Sequence, residues 1–292
     1  MVEVLTALGD FDEDGIDREL MELSLDPLLR LSRDLRNAAT TLGDEEARFL
    51  VDYYYTWQDA RTNANNVVRA ARSNENEPHE IVSWLAGNTR RVENTIKSVL
   101  GVYAMGKPAG EWAMSITGIG PVITAGLLAH IDINKAPTVG HIWSFAGLNP
   151  EQRWGKGEKR PWNAKLKTLT WKIGESFVKF KNHPNSTYGK YYDERKAYEI
   201  AKNEAGEYSE RAAQKLATTN IQKKEFRDIY ESGKLPDGHI HSSAKRWVTK
   251  LFLAHFHHVL HETVLGTPPP KPYIIDRGNH AHIIAPPNWP MA

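Results

Sequence analysis

The stretch WAMSITGIGPVITAGLL, residues 112–128, decides how this chain is organised. It begins as a short apolar helix, and Gly118 and Gly120 then permit the positive φ angles of a tight turn. Ile119 lies between the two glycines and is expected to point into the core. Pro121 fits the first position of a second helix, where its missing N–H costs nothing. The pattern is typical of a helix-hairpin-helix.

This turn predicts a binding site for phosphate. The backbone N–H groups of Gly120, Val122 and Ile123 have no helical acceptor, and a phosphate oxygen at the positive end of the helix would satisfy them. Such contacts hold a nucleic-acid backbone without reading its bases. Thr124, one turn further on, is expected to add a hydroxyl contact. The alternative is a tight helical corner without a ligand, because Gly-x-Gly turns are common.

The regions around this motif indicate an all-α protein. Apolar residues recur at helical spacing, and no segment shows the alternation of a strand. The patterns favour a long antiparallel helical hairpin, then the helix-hairpin-helix domain, then a C-terminal helical region whose last helix is capped by Ser242 or Ser243. We therefore predict five segments: an acidic helical segment (1–43), a coiled-coil-like helical hairpin (44–106), the helix-hairpin-helix domain (110–182), the C-terminal helices (187–265) and an extended Pro-rich tail (266–292).

Composition excludes several classes of protein. The 292 residues include no cysteine, so disulfide frameworks, cysteine zinc sites, iron–sulfur clusters and thiol nucleophiles are ruled out. No apolar run approaches the roughly 20 residues that a membrane span needs. The N-terminus is acidic and lacks the basic region of a secretory signal. We expect a cytoplasmic protein that uses no cofactor.

A net charge of +1 conceals a strong separation of charge along the chain. Residues 1–52 carry 14 acidic and 5 basic side chains, whereas residues 151–190 carry 10 basic and 3 acidic ones. The basic stretch also contains two indoles, Trp154 and Trp162, which either stack on exposed bases or anchor the loop in the core. Its candidate contacts to nucleic acid are Arg153, Trp154, Lys156, Lys159, Arg160, Lys165 and Lys167.

Residues 112–180 resemble the C-terminal domain of the bridge-RNA-guided DEDD transposases, a bacterial insertion-sequence family. The resemblance rests on the Gly-Ile-Gly-Pro core of the turn, on the Ala-Gly-Leu-x-Pro pattern at residues 146–150, on the Gly-rich basic stretch 154–160 and on the helix that follows. The helical hairpin before them is similar to the coiled-coil region of that family. The resemblance implies a phage or bacterial setting and a role in DNA recombination, replication or its control.

The chain also departs from the family pattern. The family places four metal-binding acidic residues in an N-terminal ribonuclease-H-like domain, and residues 1–45 are too short for that domain. It uses a serine nucleophile soon after the Gly-Leu-x-Pro segment, where this chain has Arg153-Trp154-Gly155, and residues 147–174 contain no serine. The resemblance therefore implies a relative that kept the nucleic-acid scaffold and lost strand transfer.

Three further clusters are weaker candidates. Lys245, Arg246 and Lys250 lie near the predicted start of the last helix, where cations oppose the helix dipole, so an anionic partner would suit them. The histidines of the same helix are either aromatic packing or a metal site. A DxDxDG sequence matches the opening of a calcium loop, although a flexible acidic segment is the better reading. The residues are His255, His257, His258 and His261 in the helix, and Asp10, Asp12 and Asp14 in the loop.

These observations favour a non-catalytic nucleic-acid-binding protein, with DNA as the expected partner. The helical hairpin at 44–105 would mediate self-association or hold a second strand. Two rivals stay open. One is a recombinase-like enzyme whose acidic metal site is supplied by another chain or rebuilt from other residues. The other is a protein–protein adaptor whose acidic N-terminus binds a basic partner.

Overall fold

The structure, a computed structural model, describes residues 33–271 and 283–291. These residues form helices joined by turns and loops and include no strand, which confirms the all-α prediction. Two 3-10 turns, Ala38–Thr41 and Ile133–Lys135, link helices of the chain. The helices are α1 (Arg33–Asn37), α2 (Asp44–Ser73), α3 (Glu80–Met105), α4 (Pro108–Met114), α5 (Pro121–His130), α6 (Val139–Phe145), α7 (Ala164–Lys179), α8 (Thr187–Glu204), α9 (Ser209–Thr218), α10 (Lys224–Glu231) and α11 (Asp237–Leu265).

The described residues form two compact units. The N-terminal unit comprises the described residues up to Met114 together with Gly120–Asp132. The C-terminal unit comprises Ser115–Ile119 and the described residues from Ile133 onward. The region 110–182, which the sequence predicts to be one domain, is thus divided between them. The reason is that α5 packs against α2, α3 and α4 and so belongs with the helical hairpin.

Local sequence explains where the helical hairpin of the N-terminal unit begins and turns. The carboxylate of Glu46 accepts a hydrogen bond of 2.6 Å from the Gly43 N–H, and three acidic residues in the first turn of α2 suit its dipole. After the turn, Nδ1 of His79 accepts a hydrogen bond of 3.2 Å from the N–H of Ile81, the second residue of α3. Between α2 and α3, the carboxylate of Glu93 is buried and pairs with Arg61.

The helix α5 is the core of the N-terminal unit, with eight of its ten residues buried. Arg48 of α2 donates a hydrogen bond to the carbonyl of Ala129, and the Tyr103 hydroxyl of α3 donates one of 2.8 Å to Asp44. Gly110 of α4 lies so close to the backbone of α3 that a Cβ there would stand 1.9 Å from the Ala104 carbonyl oxygen. The Arg48 bond thus ties the C-terminal end of α5 to α2, and the other two contacts tie α3 to α2 and α4 to α3.

The long helix α11 is the core of the C-terminal unit, where α6, α7 and α8 pack against it. Phe177, Tyr188 and Phe252 form a buried aromatic group in which the first two rings stack at 4.7 Å. A Cβ on Gly174 of α7 would lie 2.6 Å from Cγ of Lys245, so the glycine lets the two helices cross closely. Helices α9 and α10 cover a smaller cluster formed by Ala212, Tyr230, Leu235 and Ile240.

One helix boundary differs from the sequence expectation. The last helix begins at Asp237 and not at Ser242 or Ser243, because Pro236 supplies an extended N-cap and Asp237 a favourable first-turn charge. The described residues of the tail, 266–271 and 283–291, form no helix or strand, and side chains of the second segment bond to the C-terminal unit. Trp289 donates a hydrogen bond of 2.7 Å from its indole to Glu262, and the Asn288 amide donates one of 3.1 Å to the Ser115 hydroxyl.

No helix within residues 33–271 and 283–291 is both long and apolar enough to cross a membrane.

Candidate nucleic-acid interface

The turn of the helix-hairpin-helix uses its two glycines differently. Gly118 has φ +94°, which L side chains rarely adopt, so the expected left-handed turn is present there. Gly120 has φ −109° and ψ −179°, which any residue can adopt, so the turn uses the permitted positive φ at Gly118 and not at Gly120. Ile119 is 5% exposed and Pro121 takes the first helical position, as the sequence predicts.

The backbone donors of this turn are unused. Among the described residues, no acceptor lies within hydrogen-bond reach of the N–H groups of Gly120, Val122 and Ile123. The Thr124 N–H, by contrast, bonds the Gly120 carbonyl at 3.0 Å and starts the helical ladder of α5. A Cβ on Gly120 would meet no atom within 4 Å, so open space lies beside these donors.

The predicted hydroxyl contact from Thr124 does not fit the structure. Thr124 is fully buried, and its hydroxyl finds no partner in the part of the chain that the structure describes. The Val122 side chain is also buried, at 7% exposure. Any ligand of this turn would therefore contact backbone N–H groups and not side chains, because α5 turns nearly all its side chains into the core.

The basic loop, residues 151–163, is organised around two indoles. Trp154 and Trp162 pack edge to face with their ring centroids 6.5 Å apart. The guanidinium of Arg160 lies 4.7 Å over the Trp154 ring, and Nζ of Lys167 lies 4.0 Å over the Trp162 ring. The loop thus holds its cations in place with its own aromatic residues.

Backbone contacts fix the ends of this loop. The Trp154 indole donates a hydrogen bond of 2.6 Å to the Glu158 carbonyl, and the Gly155 N–H donates one of 2.8 Å to the Glu158 carboxylate. The Asn163 side chain accepts a bond of 2.9 Å from Leu166 N–H and caps α7. Trp154 remains 43% exposed, so it anchors the loop while one part of the indole faces solvent.

Two clusters that are far apart in sequence line one cavity of about 310 Å³ in the C-terminal unit. Lys167 comes from the basic stretch, whereas Lys245 and Arg246 come from α11. Trp171, which is 58% exposed, adds an aromatic wall to what we call the basic cavity. The cavity combines cations with an exposed indole, which is the composition that binds a nucleic-acid backbone beside an unpaired base.

Of the three cations that line the basic cavity, Lys245 is paired with a carboxylate. Lys245 pairs with Glu175 and lies 5.6 Å over the Trp171 ring. Burial, and then the charge of Arg211, lower the pKa of the Arg246 guanidinium, although Glu199 opposes the shift. Burial and the charge of Arg246 lower the pKa of Lys250. The charges of Arg211 and Arg246 thus add positive potential near the cavity, and such a potential favours an anion.

The position of these cations on the helix differs from the expectation. Because α11 begins at Asp237, Lys245 is nine residues into the helix and lies beyond the reach of its N-terminal dipole. Lys250 does not line the basic cavity; its ammonium lies 4.8 Å over the Trp143 ring. The dipole argument therefore fails, but Lys245 and Arg246 still meet Lys167 at one cavity, which the sequence spacing does not reveal.

The histidines of α11 bond to neighbouring groups of the chain. His255 bridges the Tyr188 hydroxyl at 2.7 Å and the Ile284 carbonyl at 2.8 Å, and His257 bonds the Ala136 carbonyl at 2.9 Å. His258 bonds Glu262 at 3.1 Å, and His261 bonds the Thr267 carbonyl at 2.7 Å. Within the described residues no group of three or more His, Asp or Glu is placed to hold a metal ion. Asp10, Asp12 and Asp14 lie outside the described residues.

Two contributors to the basic cavity were missed from sequence. Trp171 reads as part of the apolar stripe of α7, yet its ring stands at the surface. Gly147 lies at the cavity wall with φ +66°, where a Cβ would stand 2.9 Å from the Trp162 ring. The Ala-Gly-Leu-x-Pro pattern was the available signal for this glycine.

Comparison with known proteins shows that one segment of the chain is similar to a known family. Residues 110–172 match the family described as Transposase IS116/IS110/IS902. The matched segment runs from α4 to α7 and contains both the turn and the basic loop. No curated protein and no solved structure matches the chain. The matched segment is therefore transposase-related, whereas Lys245 and Arg246 of the basic cavity lie outside it.

Proposed function

We propose that this protein binds nucleic acid, with DNA as its partner, and grips the phosphate backbone without cutting it. The observation that carries the proposal is the transposase match over residues 110–172, which covers the turn and the basic loop together. Transposases act on nucleic acid, and a scaffold shared with them is suited to the same partner. The unused N–H donors of the turn and the cations of the basic cavity supply the chemistry.

The lack of catalysis is part of the same proposal. Where the resembling transposases carry a serine, this chain has Arg153-Trp154-Gly155, and the Trp154 indole bonds within its own loop. A protein that holds DNA ends or a DNA junction, and so acts in recombination or its control, needs only the binding surface.

Binding is tested by a mobility-shift titration at several salt concentrations. Phosphate binding weakens steeply as salt rises, with a slope of about 0.9 for each phosphate neutralised on duplex DNA. A steep slope on DNA of unrelated sequences is the expected result. No binding at low salt would favour the adaptor reading, in which the acidic N-terminus binds a basic protein.

We also propose that the helical hairpin mediates self-association. Phe49 and Tyr53 of α2 are 62% and 40% exposed, and their rings stack at 5.4 Å. Tyr53 continues the row edge to face with Trp57 at 5.9 Å. An exposed aromatic row along a helix favours a second apolar surface. Sedimentation velocity tests this, and a monomer at all concentrations would contradict it.

A further inference from the structure

A second basic groove lies in the N-terminal unit, near the turn that joins α2 and α3. It has a volume of about 490 Å³. Arg69 and Arg72 enter it from α2 and Arg90 from α3, and we call it the arginine groove. Polar side chains of Asn65, Ser73 and Ser83 also line it, and the Ser73 hydroxyl donates a hydrogen bond of 2.9 Å to the Arg69 carbonyl.

The sequence separates charge around this groove. Residues 60–74 and 81–92 contain five arginines and no Asp or Glu. Arg61 is engaged by Glu93, and Arg91 is buried at 7% exposure. Arg69, Arg72 and Arg90 are the exposed arginines of these stretches. Within the described chain, the side chains of Arg69 and Arg72 make no hydrogen bond or ion pair.

The arrangement suits an extended row of phosphates. Arg69 and Arg72 are spaced three residues apart and share one face of α2, and Arg90 faces them from the antiparallel helix. A guanidinium binds phosphate through two parallel N–H bonds, which a lysine cannot do. Glu75 and Glu77 of the connecting turn and Glu80 at the start of α3 do not line the groove, and they would repel a phosphate that crossed the turn.

The lining also indicates the form of the nucleic acid. Unpaired bases are held by stacking on aromatic side chains, and the arginine groove is lined by none among the described residues. Its apolar lining is limited to Val68 and Ala86, which is too little for the apolar core of a protein interface. We propose that the arginine groove binds the phosphate backbone of duplex nucleic acid, as a site separate from the turn and the basic cavity.

The test compares two variants on a duplex DNA of about three helical turns, titrated at several salt concentrations. Each lost phosphate contact removes about 0.9 from the slope of log affinity against log salt, so Arg69→Gln/Arg72→Gln should flatten it by about 2 units. Arg69→Lys/Arg72→Lys should keep the slope, because the charge remains, while it lowers affinity, because the two-bond geometry is lost. Both side chains are exposed, so thermal unfolding should be unchanged.

The matched control removes two cations from the C-terminal unit. Lys223 and Lys224 are exposed and line neither cavity, so Lys223→Gln/Lys224→Gln should keep the slope. A slope for the Arg69→Gln/Arg72→Gln variant equal to that of the unmodified protein would overturn the proposal. The proposal would also be overturned if this variant kept the salt slope but was no longer stabilised against thermal unfolding by inorganic phosphate. That result would mark the groove as a site for a small anion. Because the basic loop is intact in every variant, loss of its function cannot mimic these outcomes.

Discussion

At the scale of single residues, the two glycines of the turn separate folding from binding. Gly118 adopts a positive φ angle, and a Cβ there would lie 3.1 Å from the Ser176 hydroxyl. Gly120 is extended and borders open space. The sequence pattern treats the pair as equivalent, because both glycines fit the motif, and only the backbone angles distinguish them.

We predict opposite phenotypes for the two single variants. Gly118→Ala should lower the free energy of unfolding by about 1–2 kcal/mol, the cost of a left-handed conformation in a residue with a Cβ. Gly120→Val should leave stability nearly unchanged but weaken binding to every DNA sequence, by about tenfold or more if one bond to a phosphate is lost. Urea unfolding and anisotropy titrations measure both quantities. A Gly120→Val protein that binds normally would make the turn a structural corner only.

His255 predicts how stability depends on pH. Its Nε2–H donates to the Ile284 carbonyl, so Nδ1 must accept from the Tyr188 hydroxyl, and the ring is neutral. Burial lowers its pKa to about 4 from the ordinary value near 6.5. Between these values the unfolded chain binds the proton and the folded chain does not, so acid favours unfolding.

The free energy of unfolding should therefore fall as the pH drops from about 6.5 towards 4, by up to about 1.4 kcal/mol per pH unit for this group. His255→Gln should reduce that slope, although it also lowers stability at neutral pH because the imidazole fills a buried place. The exposed His183 gives a matched control, and His183→Gln should keep the slope. Equal slopes for His255→Gln and the unmodified protein would show that other groups control the acid response.

At the scale of elements, sequence patterns predicted helix positions well because each boundary has a local cause. Asp44-Glu45-Glu46 begins α2, Asn163 caps α7 and Gly206 ends the α8 region with φ +77°. The start of α11 was predicted wrongly because Pro236 is the N-cap and Asp237 the first helical residue. Ser242 and Ser243, which more often cap helices, lie inside the helix. Their hydroxyls are then no longer available as N-caps, and Ser242 bonds the Gly238 carbonyl at 2.7 Å.

The basic loop should determine the salt dependence of the C-terminal unit. Three of its cations lie within twelve residues of one another together with Lys165 and Lys167 at the start of α7, and Lys167 lines the basic cavity. If three of the five contact phosphate, a variant with all five changed to Gln should flatten the salt slope by about 2–3 units on any DNA sequence. The five are Lys156, Lys159, Arg160, Lys165 and Lys167.

If the salt slope of this five-Gln variant is unchanged, the basic loop is not the binding face, and Lys245, Arg246 and Lys250 are the next candidates. Because Arg160 and Lys167 cover the two indoles, circular dichroism must first show that the loop's loss of cations leaves the fold intact. Trp154→Ala then separates stacking from packing. If a base stacks on the Trp154 indole, the variant should bind single strands more weakly by about 1–3 kcal/mol and should bind duplex as the unmodified protein does.

At the scale of the whole molecule, the sequence predicts the parts better than their grouping. The all-α class and the helical hairpin follow from periodicity, which is a local property. The division into two units passes through the turn, between Ile119 and Gly120, because α5 packs on the helical hairpin and α7 packs on α11. Likewise, Lys167 and Lys245 line the same cavity because α7 and α11 cross closely at Gly174. The spacing of residues along the sequence does not predict where two helices cross.

The absence of catalysis is the prediction that concerns the whole chain. Residues 147–174 contain no serine, and the resemblance to the transposase family would place its nucleophile where this chain has Arg153-Trp154-Gly155. Trp154 donates its indole N–H to the Glu158 carbonyl, and Gly155 donates its N–H to the Glu158 carboxylate, so this place serves to shape the loop. None of the side chains at Arg153-Trp154-Gly155 carries a hydroxyl that could attack a phosphodiester.

We therefore expect the purified protein to bind supercoiled and linear DNA with magnesium or manganese present, and neither to nick nor to join it. Gel analysis over hours at several protein concentrations makes the measurement, with the Gly120→Val variant as a control for any activity that requires binding at the turn. Contaminating nuclease would act equally in both preparations. Metal-dependent nicking that persists through purification and is lost in the Gly120→Val protein would instead assign the chain an active site, and the recombinase reading would replace the binding one.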